Sequence, residues 1–247
     1  MPSSCPSPFL RPRSSKSQKS TRKQSCLKAR SLPRVRLERA LRPKTKKRPK
    51  QPSRPVRLVV GLRNPGVDYD RTRHNVGFEV LARLVDRADQ SLGKAPSRLR
   101  GMVTQTGVGE DRTLYFVPNT YMNESGGAVQ AALAYHKVAP ADLLVIHDDI
   151  DLAFGRLRIQ LAGGSGGHNG IRSVEKSLGT KEFSRLKIGV GRPPGSMDPA
   201  DYVLRPFSKS ERSEVGVMVE DAADVVEQWL DDRDRAQEQA AHRGRDG

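Results

Sequence analysis

The run Val56-Arg57-Leu58-Val59-Val60-Gly61-Leu62 is apolar at all but one position and stops at Asn64-Pro65-Gly66. An apolar run closed by turn residues predicts a buried strand, with the turn at its carboxyl end. In open α/β sheets that edge is where ligands bind. Asn64, in the turn, and His74, at the start of the next helix pattern, are therefore expected to be neighbours in space.

From Val56 onward strand and helix patterns alternate. Val76, Val80, Leu81, Leu84, Val85 and Ala88 recur at helical spacing, predicting a helix to about Gln90 with Thr72 or Asn75 as its cap. Residues 97–107 and 112–117 read as two strands joined by a Gly-Glu-Asp turn, and Pro118 ends the second. Ser125 is expected to cap a helix over 126–137. DLLVIH (142–147) is another buried strand, ending on Asp148-Asp149. Residues 156–161 alternate Arg with apolar positions as a strand does, and GGSGGHNG (163–170) follows. A short helix to Leu178, a strand over 185–190 and an amphipathic helix over 208–231 complete the pattern. Residues 233–247, rich in Arg, Asp and Gln, are expected to fray.

Net charge misleads about this body. The chain carries +16, yet residues 1–54 hold 18 Lys and Arg against the single acid Glu38, leaving 26 basic and 27 acidic residues elsewhere. A basic, nucleic-acid-coating body cannot be argued from that total. Residues 1–54 are rich in Ser, Pro, Arg and Lys and cannot bury enough apolar surface to offset ordering entropy, so a disordered extension is expected. Three readings of it rank in this order: upstream sequence wrongly translated ahead of a start near Val56, an organelle transit peptide, and a basic RNA-binding arm. Both cysteines, Cys5 and Cys26, lie there. Residues 55–247 therefore offer no disulfide and no cysteine metal site, which fits a reducing cytosol. No apolar run approaches the ~20 residues that span a bilayer.

Several residues could carry chemistry. His74 with Asp148 would make a base and its orienter: a carboxylate on one imidazole nitrogen fixes the tautomer and leaves the other free to take a proton from water. The alternative is a capping histidine and a turn aspartate. Asn64, Asn123 and Asn169 all fall at strand ends or loops, where a carboxamide can hold a water, a carbonyl or an oxyanion; ordinary turn formation is the competing account. GGSGGHNG does not fit G-x-G-x-x-G in any frame and contains no Gly-Lys-Ser/Thr, so its glycines are expected to admit a bulky ligand, with free amides of the next helix facing a phosphate or carboxylate. His147 and His168 form no H-E-x-x-H cluster, and no G-x-S-x-G elbow exists, so metal hydrolysis and a serine nucleophile lack support.

Four segments, GLRNPGVDYDRTRHNVGF, NTYMNESGGAV, IHDDIDLAFGRLRIQLAGGSGGHNGIRS and LKIGVGRPPGSMDPADYVL, together resemble bacterial-type peptidyl-tRNA hydrolases over residues 56–229. The resemblance implies a single α/β catalytic domain (55–232) around a twisted mixed sheet flanked by helices, with the extension before it and the tail 233–247 after it. It implies hydrolysis of the ester between a peptide and tRNA, recycling prematurely released peptidyl-tRNA in the cytoplasm, by a monomer without cofactor, metal or membrane partner. An organelle is the alternative location if the extension is a transit peptide. His74 would be the base, Asp148 its partner, and Asn64, Asn123 and Asn169 the water- and substrate-positioning groups. Tyr69 and Tyr121 would shape the cleft. Arg156, Arg158 and Arg192 are candidates for tRNA phosphates. A non-catalytic RNA-binding relative and a hydrolase of small non-RNA esters are the competing readings. The chain departs from the family pattern at Arg63, where Gly is usual, and at Val117, where a basic residue is usual. Arg63 is expected either to strain the turn or to point to solvent, and Val117 to remove a peripheral charge.

Overall fold

The computed structural model describes residues 55–243. Expectations for residues 1–54 lie outside the described residues.

Seven strands form one mixed sheet: β1 (Arg57–Gly61), β2 (Gly93–Lys94), β3 (Gly101–Thr106), β4 (Thr113–Pro118), β5 (Leu143–Asp149), β6 (Leu157–Gln160) and β7 (Ser184–Gly189), in the order β2-β3-β4-β1-β5-β7-β6. Strands β4, β1, β5 and β7 run parallel at the centre, and β2, β3 and β6 are antiparallel at the margins. Period-2 alternation sends Val59, Leu144, Ile146 and Leu186 to one face and Leu58, Val60, Leu143 and Val145 to the other. Both faces are covered, which is why the central strands read as continuous apolar runs.

Helices α1 (Val76–Arg87), α5 (Arg212–Asp231) and α6 (Arg233–His242) lie on the first face, and α2 (Ser125–His136) and α3 (Asn169–Leu178) on the second. A short helix, α4 (Pro199–Val203), completes the set. The helix after β1 and the helix after β4 take opposite faces, and β4 and β5 flank β1 on opposite sides. A crevice therefore opens at the carboxyl ends of these strands.

Contact without side chains sets the height of α1 on the sheet. A Cβ on Gly61 would stand 2.6 Å from Gly77 O, and one on Gly77 would stand 2.3 Å from Ile146 O. Only glycine allows backbones to approach this closely.

Several boundaries differ from the sequence expectation. The strand expected over 97–107 is shorter, because Pro96 starts a 3-10 turn (Ser97–Leu99) and Arg100 takes a left-handed φ of 50° before β3 begins. Ser125 is not a cap: it is the first residue of α2, and its hydroxyl donates to Tyr121 O. Of the tail expected to fray (233–247), Arg233–His242 instead form α6, and residues 244–247 lie outside the described residues. Asp232 caps this helix, accepting from the amides of Asp234 and Arg235, while Ala236 and Ala240 are buried. Arg243 ties its end to Asp221 and Asp224 of α5. The burying side chains are only alanines, so the polar composition hid the amphipathic face.

Val117 is fully buried and faces α1, so this position is core and not periphery. Arg63 neither strains the turn nor points to solvent: it is half-buried and absent from the positive-φ residues. Its guanidinium lies over the Phe78 ring, 4.8 Å to the centroid, and donates to Asn119 Oδ1 at 3.3 Å.

Candidate active site

The crevice holds a cavity of about 720 Å³ lined by Asn64, His74, Tyr121, Asn123, Asp148 and Asn169 among others. Six of the expected site residues are thus brought together from the turn after β1, the end of β5, the segments preceding α1 and α2, and the first residue of α3.

Asn64 is fixed by a reciprocal exchange. Its amide donates to Asn75 Oδ1 (2.8 Å), while Asn75 Nδ2 donates to Asn64 O (3.0 Å) and Tyr69 O (2.8 Å). Asn75 therefore braces the turn with its side chain and does not cap α1 with it. Asn64 Oδ1 accepts from the Met122 amide at 2.8 Å. That bond assigns the carboxamide orientation and leaves Nδ2 as a donor for the cavity.

His74 lies in a 3-10 turn (Arg73–Asn75) directly ahead of α1. The Gly61–Gly77 contact lowers this turn onto the end of β5, where His74 Nδ1 meets Asp148 Oδ1 at 2.8 Å; both side chains are buried. The same carboxylate oxygen receives His168 Nε2 at 3.0 Å. His168 caps α3, its Nδ1 accepting from the amides of Gly170 (3.1 Å) and Ile171 (3.2 Å). An imidazole nitrogen that accepts two N–H bonds carries no proton, so the proton of His168 is on Nε2 and is given to Asp148.

Two consequences follow. Two of the α3 amides expected to face a ligand, those of Gly170 and Ile171, are already taken by the His168 side chain. And although His74, Asp148 and His168 present ligand atoms within 4.8 Å of one another, His168 Nε2 offers no lone pair to a metal while its cap is in place.

The electrostatics are consistent with this hydrogen bonding. Burial by itself would raise the Asp148 carboxyl, but the two facing imidazoles and the bonds they donate outweigh it and hold Asp148 far below the usual carboxylate range. For His74, burial pushes the pKa down from 6.5, but the charge of Asp148 and its hydrogen bond prevail and raise it. For His168, burial prevails over Asp148 and lowers it, and for His147 burial together with His168 lowers it well below 6.5. The rings of His74, His168 and His147 follow one another at 4.8 and 4.6 Å between centroids.

Asn123 is exposed at the rim, and Asn169 opens α3 with its Oδ1 3.4 Å from Arg172 Nη1. Tyr121 is 54 % exposed at the mouth. Tyr69 stands behind it, edge to face at 6.3 Å, outside the cavity lining. The three arginines are elsewhere. Arg156 and Arg158 line a separate groove between β6 and α6, and Arg192 is exposed and paired with Asp151 at 2.6 Å. The sequence reading missed His168. The adjacent Asn169, a standard cap residue, masked the capping role of His168 in the sequence.

The family model for peptidyl-tRNA hydrolase matches residues 58–246. The chain is 51 % identical over 171 residues to a peptidyl-tRNA hydrolase of Mycobacterium tuberculosis, covering 69 % of this chain and 88 % of the relative. It is 46 % identical over 174 residues to one of Rhodococcus erythropolis, covering 70 % and 91 %. A solved peptidyl-tRNA hydrolase of Acinetobacter baumannii superposes with a TM-score of 0.70 at 31 % identity, covering 76 % of this chain and 95 % of that one. This chain belongs to the peptidyl-tRNA hydrolase family.

Proposed function

We propose that the chain hydrolyses the ester between peptide and tRNA with His74 as general base. The observation that carries this reading is the buried contact of His74 Nδ1 with Asp148 Oδ1 at 2.8 Å, on a carboxylate also held by His168. Nδ1 keeps its proton on Asp148, so Nε2 has the lone pair. A water at the cavity gives its proton to Nε2 as its oxygen adds to the ester carbonyl. Asn64 Nδ2, whose partner atom is occupied by Met122, donates to the oxyanion that forms, and Asn123 at the rim positions the water or carbonyl. Collapse breaks the bond to the terminal ribose oxygen, which takes the proton from His74. Free tRNA and the peptide acid leave, the acid giving its proton to solvent to become the carboxylate, and the base is regenerated. Asp148 stabilises the imidazolium in between.

Tyr121, backed by Tyr69, offers an aromatic face at the mouth for the terminal base or the peptide, and Asn169 holds the substrate from the α3 side. Arg156 and Arg158 would meet tRNA phosphates along the β6 groove; Arg192 would do so by exchanging Asp151 for phosphate. One chain supplies every group named, which supports action as a monomer. No described helix is long and apolar enough to cross a membrane. A cytoplasmic location is part of the same proposal, since translation supplies the substrate.

The test is release of tRNA from an N-blocked aminoacyl-tRNA. His74→Ala is expected to lose about 10²–10⁴ in rate, the worth of general-base assistance. Absence of turnover by the unmutated chain would overturn the assignment.

A further inference from the structure

Among the described residues the mechanism leaves two buried cations unused, Arg73, which pairs with Glu211 at 2.8 Å, and Arg185. Arg185, on β7, has no solvent exposure. Its Nη1 donates to Gly164 O at 2.8 Å, its Nη2 pairs with Glu175 Oε1 of α3 at 3.0 Å, and its guanidinium lies over the Phe183 ring, 4.5 Å to the centroid. An apolar residue of similar volume would avoid the desolvation that such a pair incurs, so stability alone is a weak reason for it.

The partners suggest another reason. Gly163, Gly166 and Gly167 hold φ values of 140°, 57° and 83°, and a glycine-rich segment loses much backbone freedom when it is fixed. Beyond Gly164 that segment supplies Ser165, Gly166, Gly167 and His168 to the cavity wall. Glu175 lies on the helix that His168 caps. One planar guanidinium thus grips the chain on both sides of His168, which a single ammonium group could not do with the same geometry.

We propose that Arg185 is a positioning residue for the reaction: by bridging the glycine loop to α3 it holds His168 against Asp148. This rests on the general-base reading above. Without the bridge His168 loses its grip on Asp148 Oδ1, the carboxylate keeps a single donor, and more of its charge acts on His74. The other titratable groups lining the cavity with His74 are His147 and Asp149 of β5, Tyr121 and Glu124 ahead of α2 and Asp198 ahead of α4; none is among the partners of Arg185.

The experiment compares Arg185→Met, Arg185→Lys and Glu175→Gln in the full chain by pH profiles of kcat. In Arg185→Met the acid limb is expected to move to higher pH and the plateau to fall about two- to tenfold, the worth of a hydrogen bond. Arg185→Lys, which can still reach Gly164 O, should lie between it and the unmutated chain. Glu175→Gln, on a partly exposed side chain, should shift the limb the same way by less, and it serves as the deciding variant if Arg185→Met does not fold. Folded variants with an unmoved limb overturn the proposal. An unmutated chain with no acid limb between about pH 5 and 8 overturns the general-base reading instead.

Discussion

Replacing Asp148 by Asn tests the site with little change of shape. Asp148 Oδ1 alone accepts from both His74 (2.8 Å) and His168 (3.0 Å), so a carboxamide oxygen in that place can keep both bonds while the charge disappears. Two effects separate. The charge-assisted share of the bond to the imidazolium is worth about 1.5–3 kcal/mol, which at 1.36 kcal/mol per decade lowers the plateau rate by a factor of roughly 10–150. The pH dependence moves as well. In the native site His74 titrates above 6.5 because Asp148 outweighs burial, so activity is full above that raised pKa and is lost as pH falls through it. With the charge gone burial outweighs the remaining hydrogen bond, and the pKa should drop below 6.5. The acid limb therefore shifts to lower pH while the plateau falls. Single-turnover release of tRNA from an N-blocked aminoacyl-tRNA across about pH 5–9 measures both. A folded variant whose limb stays in place or moves to higher pH would refute the reasoning.

Asn64→Ala removes the donor assigned to the oxyanion and should cost about 10²–10³ in kcat with the pH profile unmoved, measured in the same assay. Gly77→Ala puts a methyl 2.3 Å from Ile146 O, a backbone atom that cannot step aside. A cost of about 1–3 kcal/mol is expected, read as a lower Tm in thermal unfolding, together with reduced activity as His74 is lifted from Asp148. Arg158→Glu should raise KM at low salt and flatten the dependence of KM on salt while leaving kcat alone. An unchanged salt slope would remove the β6 groove from the tRNA path.

The parts of the site that were legible in the sequence share a cause. Asn64 and Asp148 sit at or just after strand ends, visible as apolar runs meeting Pro, Gly or charge, and His74, Asn123 and Asn169 sit where the following helix patterns begin. What was hidden depends on partners distant in sequence. His168 gains its role from Asp148, 20 positions away, and from a helix start that it caps itself. Arg63 looked like a defect because its acceptor, Asn119, and its stacking partner, Phe78, are far along the chain. Arg156 and Arg158, candidates for tRNA phosphates, lie at and beside β6 on the sheet margin, in a groove separate from the cavity. In the fold, α6 was missed because its buried face consists of alanines, which contribute little to a hydrophobic pattern.

The Gly61–Gly77–Ile146 contact also bears on how this site can tolerate change. Most helices rest on a sheet through interlocking side chains, so their height drifts when the core is repacked. Here α1 touches the strands backbone to backbone at the point nearest His74. The distance from His74 to Asp148 is therefore referred to peptide geometry, which is the same whatever apolar residues fill the rest of the core. Volume changes at Val80, Leu84 or Val219 can alter how firmly α1 is held, yet they have no lever on where its first turn stops. Core and catalytic geometry are thereby free to vary separately, and a loss of stability in this protein need not be a loss of alignment.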